Sequence, residues 1–292
     1  MEPFFSVITN VQIVSRYNLH MFARFAINLQ CNRPSVVSSK KLWPSILLML
    51  FALKLTYGSS VVALITYDSI VIAADSAQTG IDGVRLPDGC KIRRIGSLVF
   101  AAAGRISSPL ALEKQFDVWA EAIIAVGRGQ NTMDAARALE KTIYADLPYI
   151  VNYSRSATPK DYAEWITGSS VIEFVFAGFD DGTSPIAINV RFRVDTKGVL
   201  VSPQWKVMRV EADKVDGVAI GRNLAINAFL SGHPTWGDDF ISNQTGFVRD
   251  LISREIQSAA EDHRVDVGAP ISVFRMTKKY AGWDPGSEGV CR

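Results

Sequence analysis

Within the stretch Gly58–Ser76, two apolar runs rich in Val, Ile and Ala are separated only by Tyr67-Asp68-Ser69. That separator is turn chemistry, so the stretch predicts a tight β-hairpin. Neither run alternates with polar residues, which predicts strands buried on both faces. The second run ends in an acid, Asp75. A carboxylate at the end of a buried strand is costly unless a cation or hydrogen-bond donors meet it. A downstream candidate is Lys91, in Asp88-Gly89-Cys90-Lys91-Ile92. Ahead of the first run stand Gly58 and the hydroxyl-bearing Ser59.

The rest of the chain falls into segregated blocks. Val84 to Lys91 reads as a strand or extended loop with a turn at Pro87-Asp88-Gly89. Ile92–Ile95 and Leu98–Ala103 read as a second hairpin around Gly96-Ser97. Ser107-Ser108-Pro109 has the form of a helix start, a cap followed by proline. Leu110, Leu112, Phe116, Trp119, Ile123 and Val126 then recur at helical spacing. A second helix is expected from about Asn131-Thr132 to Tyr153, with Pro148 as a point where it could kink or shorten. Ser154 to Ser169 reads as a polar loop with a helical turn near Tyr162–Ile166. Strands follow at Val171–Gly178, Pro185–Val194 and Gln204–Val210, punctuated by the Asp180-Asp181-Gly182 and Thr196-Lys197-Gly198 turns. Gly217–Gly221 is a short strand leading into a helix, Phe247–His263 an amphipathic helix, and Ile271–Phe274 part of a last strand. Residues 281–292 read as a loose tail. Strands, helices, strands, helices and a strand make an α+β pattern of sheets covered by helix layers.

Composition narrows the function. The formal net charge is +2 over 292 residues, and no basic run alternates with aromatics, so no nucleic-acid partner is expected. Cys31, Cys90 and Cys291 have no metal-ligand spacing, and His20, His233 and His263 lie far from them. No metal or other cofactor is therefore expected. A Cys90–Cys291 disulfide is one option in an oxidising compartment; isolated small buried hydrophobes are the other. No G-x-S-x-G elbow supports Ser-His-Asp hydrolysis.

Residues 1–58 read as an extension to be removed. Lys40-Lys41 precede the twelve residues Leu42–Leu53, too short to span a bilayer comfortably but suited to a signal-peptide core. Thr56-Tyr57-Gly58 offers small side chains near a cleavage point. Export to a periplasmic or secreted location is the expectation, with a membrane anchor through 42–53 as one alternative. A run without any targeting role, in a chain that stays cytoplasmic, is the other.

From Gly58 to about Lys278 the chain resembles proteasome β subunits, and more broadly the N-terminal-nucleophile hydrolases. In that family a Gly–Thr bond is cut and the freed Thr is the nucleophile. An apolar hairpin ending in "AADS" follows, with its Asp sixteen residues on and a Lys thirty-two on. Ser59, Asp75 and Lys91 keep that register. The resemblance implies a four-layer αββα sandwich over 59–280, a peptide or other amide as substrate, and assembly into a homo-oligomer, a ring in the family. It also implies an oxyanion-stabilising N–H at Gly104 and a bracing role near the α-amine for Asp266. Where the family has two assisting Ser residues, this chain has Arg222 and Ala269.

The implied chemistry is coherent. A serine hydroxyl needs a base, and a free α-amine, with a reference pKa of about 8, can serve as one. Lys91 would add positive charge beside Ser59, with Asp75 holding Lys91. The losses at Arg222 and Ala269, and Ser in place of Thr, support a contrary expectation: a catalytically inactive proteasome-like assembly subunit, with Asp75–Lys91 a structural ion pair.

Overall fold

The structure is a computed structural model that describes residues 59–79, 85–109, 115–129, 131–285, 287 and 291. The N-terminal extension, the apolar segment 42–53, Val84, Leu110 and Leu112 lie outside the described residues.

In chain order the first half comprises β1 (Ser60–Ile65), β2 (Ser69–Asp75), β3 (Gln78–Thr79), β4 (Arg85–Leu86), β5 (Ile92–Ile95), β6 (Leu98–Gly104), β7 (Ser107–Pro109) and β8 (Gln115–Asp117). Three helices follow: α1 (Val118–Arg128), α2 (Thr132–Ala157) and α3 (Pro159–Ile166). The second half has β9 (Ile172–Asp180), β10 (Ser184–Phe192), β11 (Gln204–Met208) and β12 (Asp216–Gly221). It ends with α4 (Leu224–Gly232), α5 (Trp236–Ser242), α6 (Gln244–Glu261), β13 (Ile271–Thr277) and β14 (Ala281–Trp283).

Two five-stranded antiparallel sheets result, ordered β12-β1-β2-β13-β14 and β11-β10-β9-β6-β5. The pleat explains why their strands are apolar on both faces. In β1, Val61, Ala63 and Ile65 meet Val99, Ala101, Val175 and Ala187 of the second sheet. The intervening Val62 and Leu64 face α4, α5 and α6 through Ile226, Phe240, Val248 and Leu251. In β6, Phe100 turns the other way and packs on Phe176 at 4.6 Å and edge-on against Trp119 at 5.3 Å between ring centroids, under α1 and α2. Helix, sheet, sheet and helix therefore stack as an αββα sandwich of the α+β class. Among the described residues no helix is long and apolar enough to cross a membrane.

Several sequence expectations need correction. Ser107-Ser108-Pro109 is not a helix start: it is β7, paired with β8. The helix begins at Val118, because the Asp117 carboxylate accepts from the N–H groups of Trp119 and Ala120 at 2.8 and 3.4 Å. Pro148 does not shorten α2, which runs on to Ala157. The polar stretch after it holds a full helix, α3, with Pro159 in its first turn. The segment around Trp236, to which the sequence reading assigned no element, forms α5, whose Phe240 is buried beneath α6. The tail is tied down rather than loose. β14 pairs with β13, Arg249 holds Asp284 at 2.8 Å, Ser287 bonds Val273, and Cys291 is disulfide-bonded to Cys90.

The cap at Asp117 gives a direct check. Asp117→Ala is expected to cost about 1 kcal/mol of stability, measured by denaturant unfolding, whereas Ser107→Ala, at an exposed strand position, should change it by less than about 0.5 kcal/mol. The reverse ranking would restore the helix start at Ser107.

Candidate active site

Asp75 ends β2 almost wholly buried, and its carboxylate gathers donors from four parts of the chain. Oδ1 accepts from Ser60 N at 2.7 Å and from Lys91 Nζ at 2.8 Å. Oδ2 accepts from Ala77 N and Gly268 N, each at 3.1 Å. The expected Asp75–Lys91 pair thus exists, and both side chains are sealed from solvent. Burial pushes the Asp75 carboxyl up, opposed by Lys91 and by the N–H groups of Ser60 and Gly268. Burial likewise pushes the Lys91 ammonium down, opposed by the charges of Asp75 and, more weakly, Asp266. Three backbone N–H groups favour the ionised aspartate.

Ser59 sits at the head of β1, next to the residue whose N–H holds Asp75. Its carbonyl accepts from Arg222 N at 2.7 Å. That contact requires glycine at 221: the residue has φ +73°, and a Cβ there would lie 2.0 Å from the Ser59 oxygen. Gly104, at the end of β6, has φ +89°, and a Cβ would meet the Val171 oxygen at 2.5 Å. Ser59, Gly104 and Gly221 line one cleft of about 530 Å³ between the sheet ends, α3 and the start of α4. Its other walls include Trp165, Gly168 and Leu224, the last 74% exposed at the rim.

Asp266 is buried in the loop before β13, and guanidinium groups take its charge. Arg264 Nε donates at 3.1 Å, Arg264 Nη2 makes a second bond, and Arg222 Nε stands 3.3 Å away. Arg222 thus spans from Asp266 to Glu164, 3.5 Å away. Ala269, the other position singled out in the sequence, is exposed, and its carbonyl accepts from Arg85 Nη2 at 3.1 Å.

Sequence reading missed the charged lining of the cleft. Arg191 and Arg193 alternate with Phe192 at the end of β10, so both point to one face; two cations on an otherwise apolar strand are the signal. Glu173, near the start of the otherwise apolar run of β9, lies directly opposite Arg191. It is buried, hydrogen-bonded to Ser170 Oγ at 2.6 Å and Gly221 N at 2.9 Å, and ion-paired with Arg191. Arg105 is also buried, 3.4 Å from Asp161 and over the Tyr153 ring at 5.9 Å. Among the described residues no group of three or more His, Cys, Asp or Glu is placed to hold a metal ion.

No protein-family model matches the chain, and no curated protein matches it. Among solved structures it is similar to the Anbu complex from Pseudomonas aeruginosa, described as a helical assembly. The identity is 14%, the match covers 75% of this chain and 81% of the other, and the TM-score is 0.42.

Two predictions follow from the charges. Asp75→Asn leaves the buried Lys91 without its counter-charge and is expected to cost roughly 3–5 kcal/mol, read from urea unfolding. A cost below about 1 kcal/mol would mean that the pair does not organise this region. Asp161 has its carboxyl pushed up to about 6, chiefly by burial, with Arg105 opposing. A raised carboxyl binds its proton more tightly in the folded chain than in the unfolded one. The stability it supplies is therefore present below 3.8, the unfolded value, and lost as pH rises through about 6. The protein should lose stability relative to Asp161→Asn across that window, and parallel curves would refute the shift.

Proposed function

We propose that the chain is a hydrolase of peptide or other amide bonds, of the proteasome β-subunit type, whose nucleophile is Ser59 once cleavage after Gly58 makes it the N-terminus. The observation that carries this is the Asp75 carboxylate. It binds Lys91 and the N–H beside Ser59 together, at a point where Ser59 lines a substrate-sized cleft.

In this reading Ser59 Oγ attacks the substrate carbonyl while the freed α-amine takes its proton, directly or through a water. Lys91 supplies positive charge that favours the alkoxide and keeps part of the amine neutral. An N–H at Gly104 stabilises the oxyanion; one such donor contributes about 3 kcal/mol. The C–N bond then breaks, the leaving nitrogen receives the proton, and water hydrolyses the resulting serine ester.

The compartment belongs to the same proposal. The Cys90–Cys291 disulfide suits an oxidising environment, which agrees with the signal-like segment 42–53 and with export to the periplasm or beyond. Homo-oligomeric assembly, a ring in the family, is the expected quaternary state.

One observation favours a second reading. Arg222 occupies a position where the family has Ser, and it engages Asp266, which is the family's brace for the nucleophile. A catalytically inactive assembly subunit would tolerate that substitution.

Intact mass of the purified protein and peptide turnover decide between the two. The expected results are an N-terminus at Ser59 and cleavage of fluorogenic peptide amides that Ser59→Ala lowers on the order of 10³-fold or more. A different mature N-terminus removes the base and defeats the mechanism. Folded, correctly processed protein without turnover establishes the assembly reading.

A further inference from the structure

The cleft at Ser59 has one more cation than anion in its lining. Arg105 stands against Asp161, Arg191 against Glu173, and Arg222 against Glu164. Arg193 is left over. It is half-buried, its Nε is shielded from solvent with no hydrogen-bond partner, and no carboxylate pairs with it among the described residues. Its guanidinium lies against Gly168, where even a Cβ would approach Nη2 to 3.3 Å. Gly168 therefore leaves the backbone open beside the charge. A guanidinium partly removed from water and unpaired is unfavourable alone and becomes favourable when a planar anion meets it.

We propose that Arg193 is a specificity-determining residue of the cleft, and that the substrate held beside Ser59 carries a carboxylate that pairs with it. This rests on the hydrolase reading and names its substrate class: peptides or amides bearing an acidic side chain or a free C-terminal carboxylate. The two carboxylate sources share one chemistry, a two-oxygen acceptor matched to the guanidinium fork. The lining contains no second unpaired charge to favour a basic substrate. Leu224 at the rim offers apolar contact to the rest of the chain being held.

The test is binding, so that it stands apart from turnover. The protein, purified from expression of the full chain, is titrated calorimetrically with acetylated tetra-alanine peptides. One arm carries Glu or its isostere Gln at each position in turn, with an amidated end. Another compares the free-acid and amidated ends. At least one carboxylate peptide is expected to bind roughly tenfold tighter than its neutral counterpart. The arm that shows the preference identifies the source of the carboxylate. Arg193→Met should bring that ratio to about one, and Arg193→Lys should keep part of it. The proposal is overturned if the unaltered protein shows no carboxylate preference, if Arg193→Met keeps the preference, or if no peptide binds at millimolar concentration. Should Arg193→Met not fold, the ratio in the unaltered protein and in Arg193→Lys still decides. Carboxylate-selective binding without any cleavage would sink the hydrolase reading alone; cleavage without carboxylate preference would sink this one alone.

Discussion

A single buried carboxylate ties the ends of this sandwich together. Asp75 is the only charge at the close of a hairpin whose strands are otherwise apolar on both faces. Isolated there, it would be forced to protonate or to find donors. It finds four, contributed by β1, by the turn after β2, by the segment leading into β5 and by the loop before β13. These pieces come from far apart in sequence, Gly268 being 193 residues from Asp75. Satisfying this one group therefore fixes the relative positions of the head of β1, Lys91 and the Asp266 loop. The chemistry proposed for Ser59 depends on that fixing, since a displacement of about an ångström can cost a hundredfold in rate.

The core works toward the same end. Three apolar clusters lie between helices and sheet, between the two sheets, and between sheet and helices again. The head of β1 and the last residues of β6 and β12 come together around the cleft, where Ala103 and Trp165 carry the apolar packing up to its wall. Polar groups collect there because the layers no longer cover them. The two glycines that let the backbone close in, Gly104 and Gly221, sit where β6 and β12 end. Close packing in the middle thus leaves a charged cavity at the edge, lined by groups from both sheets and from α3.

How much of this was legible in the sequence depends on how local the signal is. Continuous apolar runs and Gly-containing turns marked most strands, because two-sided burial leaves no polar alternation to misread. The α1 start was misplaced because Ser107-Ser108-Pro109 has a cap-like composition. What chose the true start was Asp117, whose carboxylate reaches two free N–H groups after the chain has first made a short hairpin. The tail looked loose because its anchors are distant: Arg249, Val273 and Cys90 are invisible to any local window. The Asp75–Lys91 pair was legible through its spacing. The arginine lining was not, since Arg105, Arg193 and Arg222 come from three separate segments.

Arg222 carries the tension between the two functional readings, and the charges around it bear on how that tension resolves. Its guanidinium and that of Arg264 together surround Asp266, so two cations answer one buried anion. Asp266 supports the Lys91 charge more weakly than Asp75 does, and Asp75 is the principal anion holding the ammonium. Burial continues to push the ammonium down. In the proposed mechanism Lys91 serves as a fixed positive charge, and its pairing with Asp75 is what favours that charged form. Arg222 thus bears on the surroundings of the same ion pair from the side of Asp266. Arginine at this position therefore bears on both readings: it brings no hydroxyl to the site, and it gives Asp266 a cation of its own while leaving the Asp75–Lys91 pair intact.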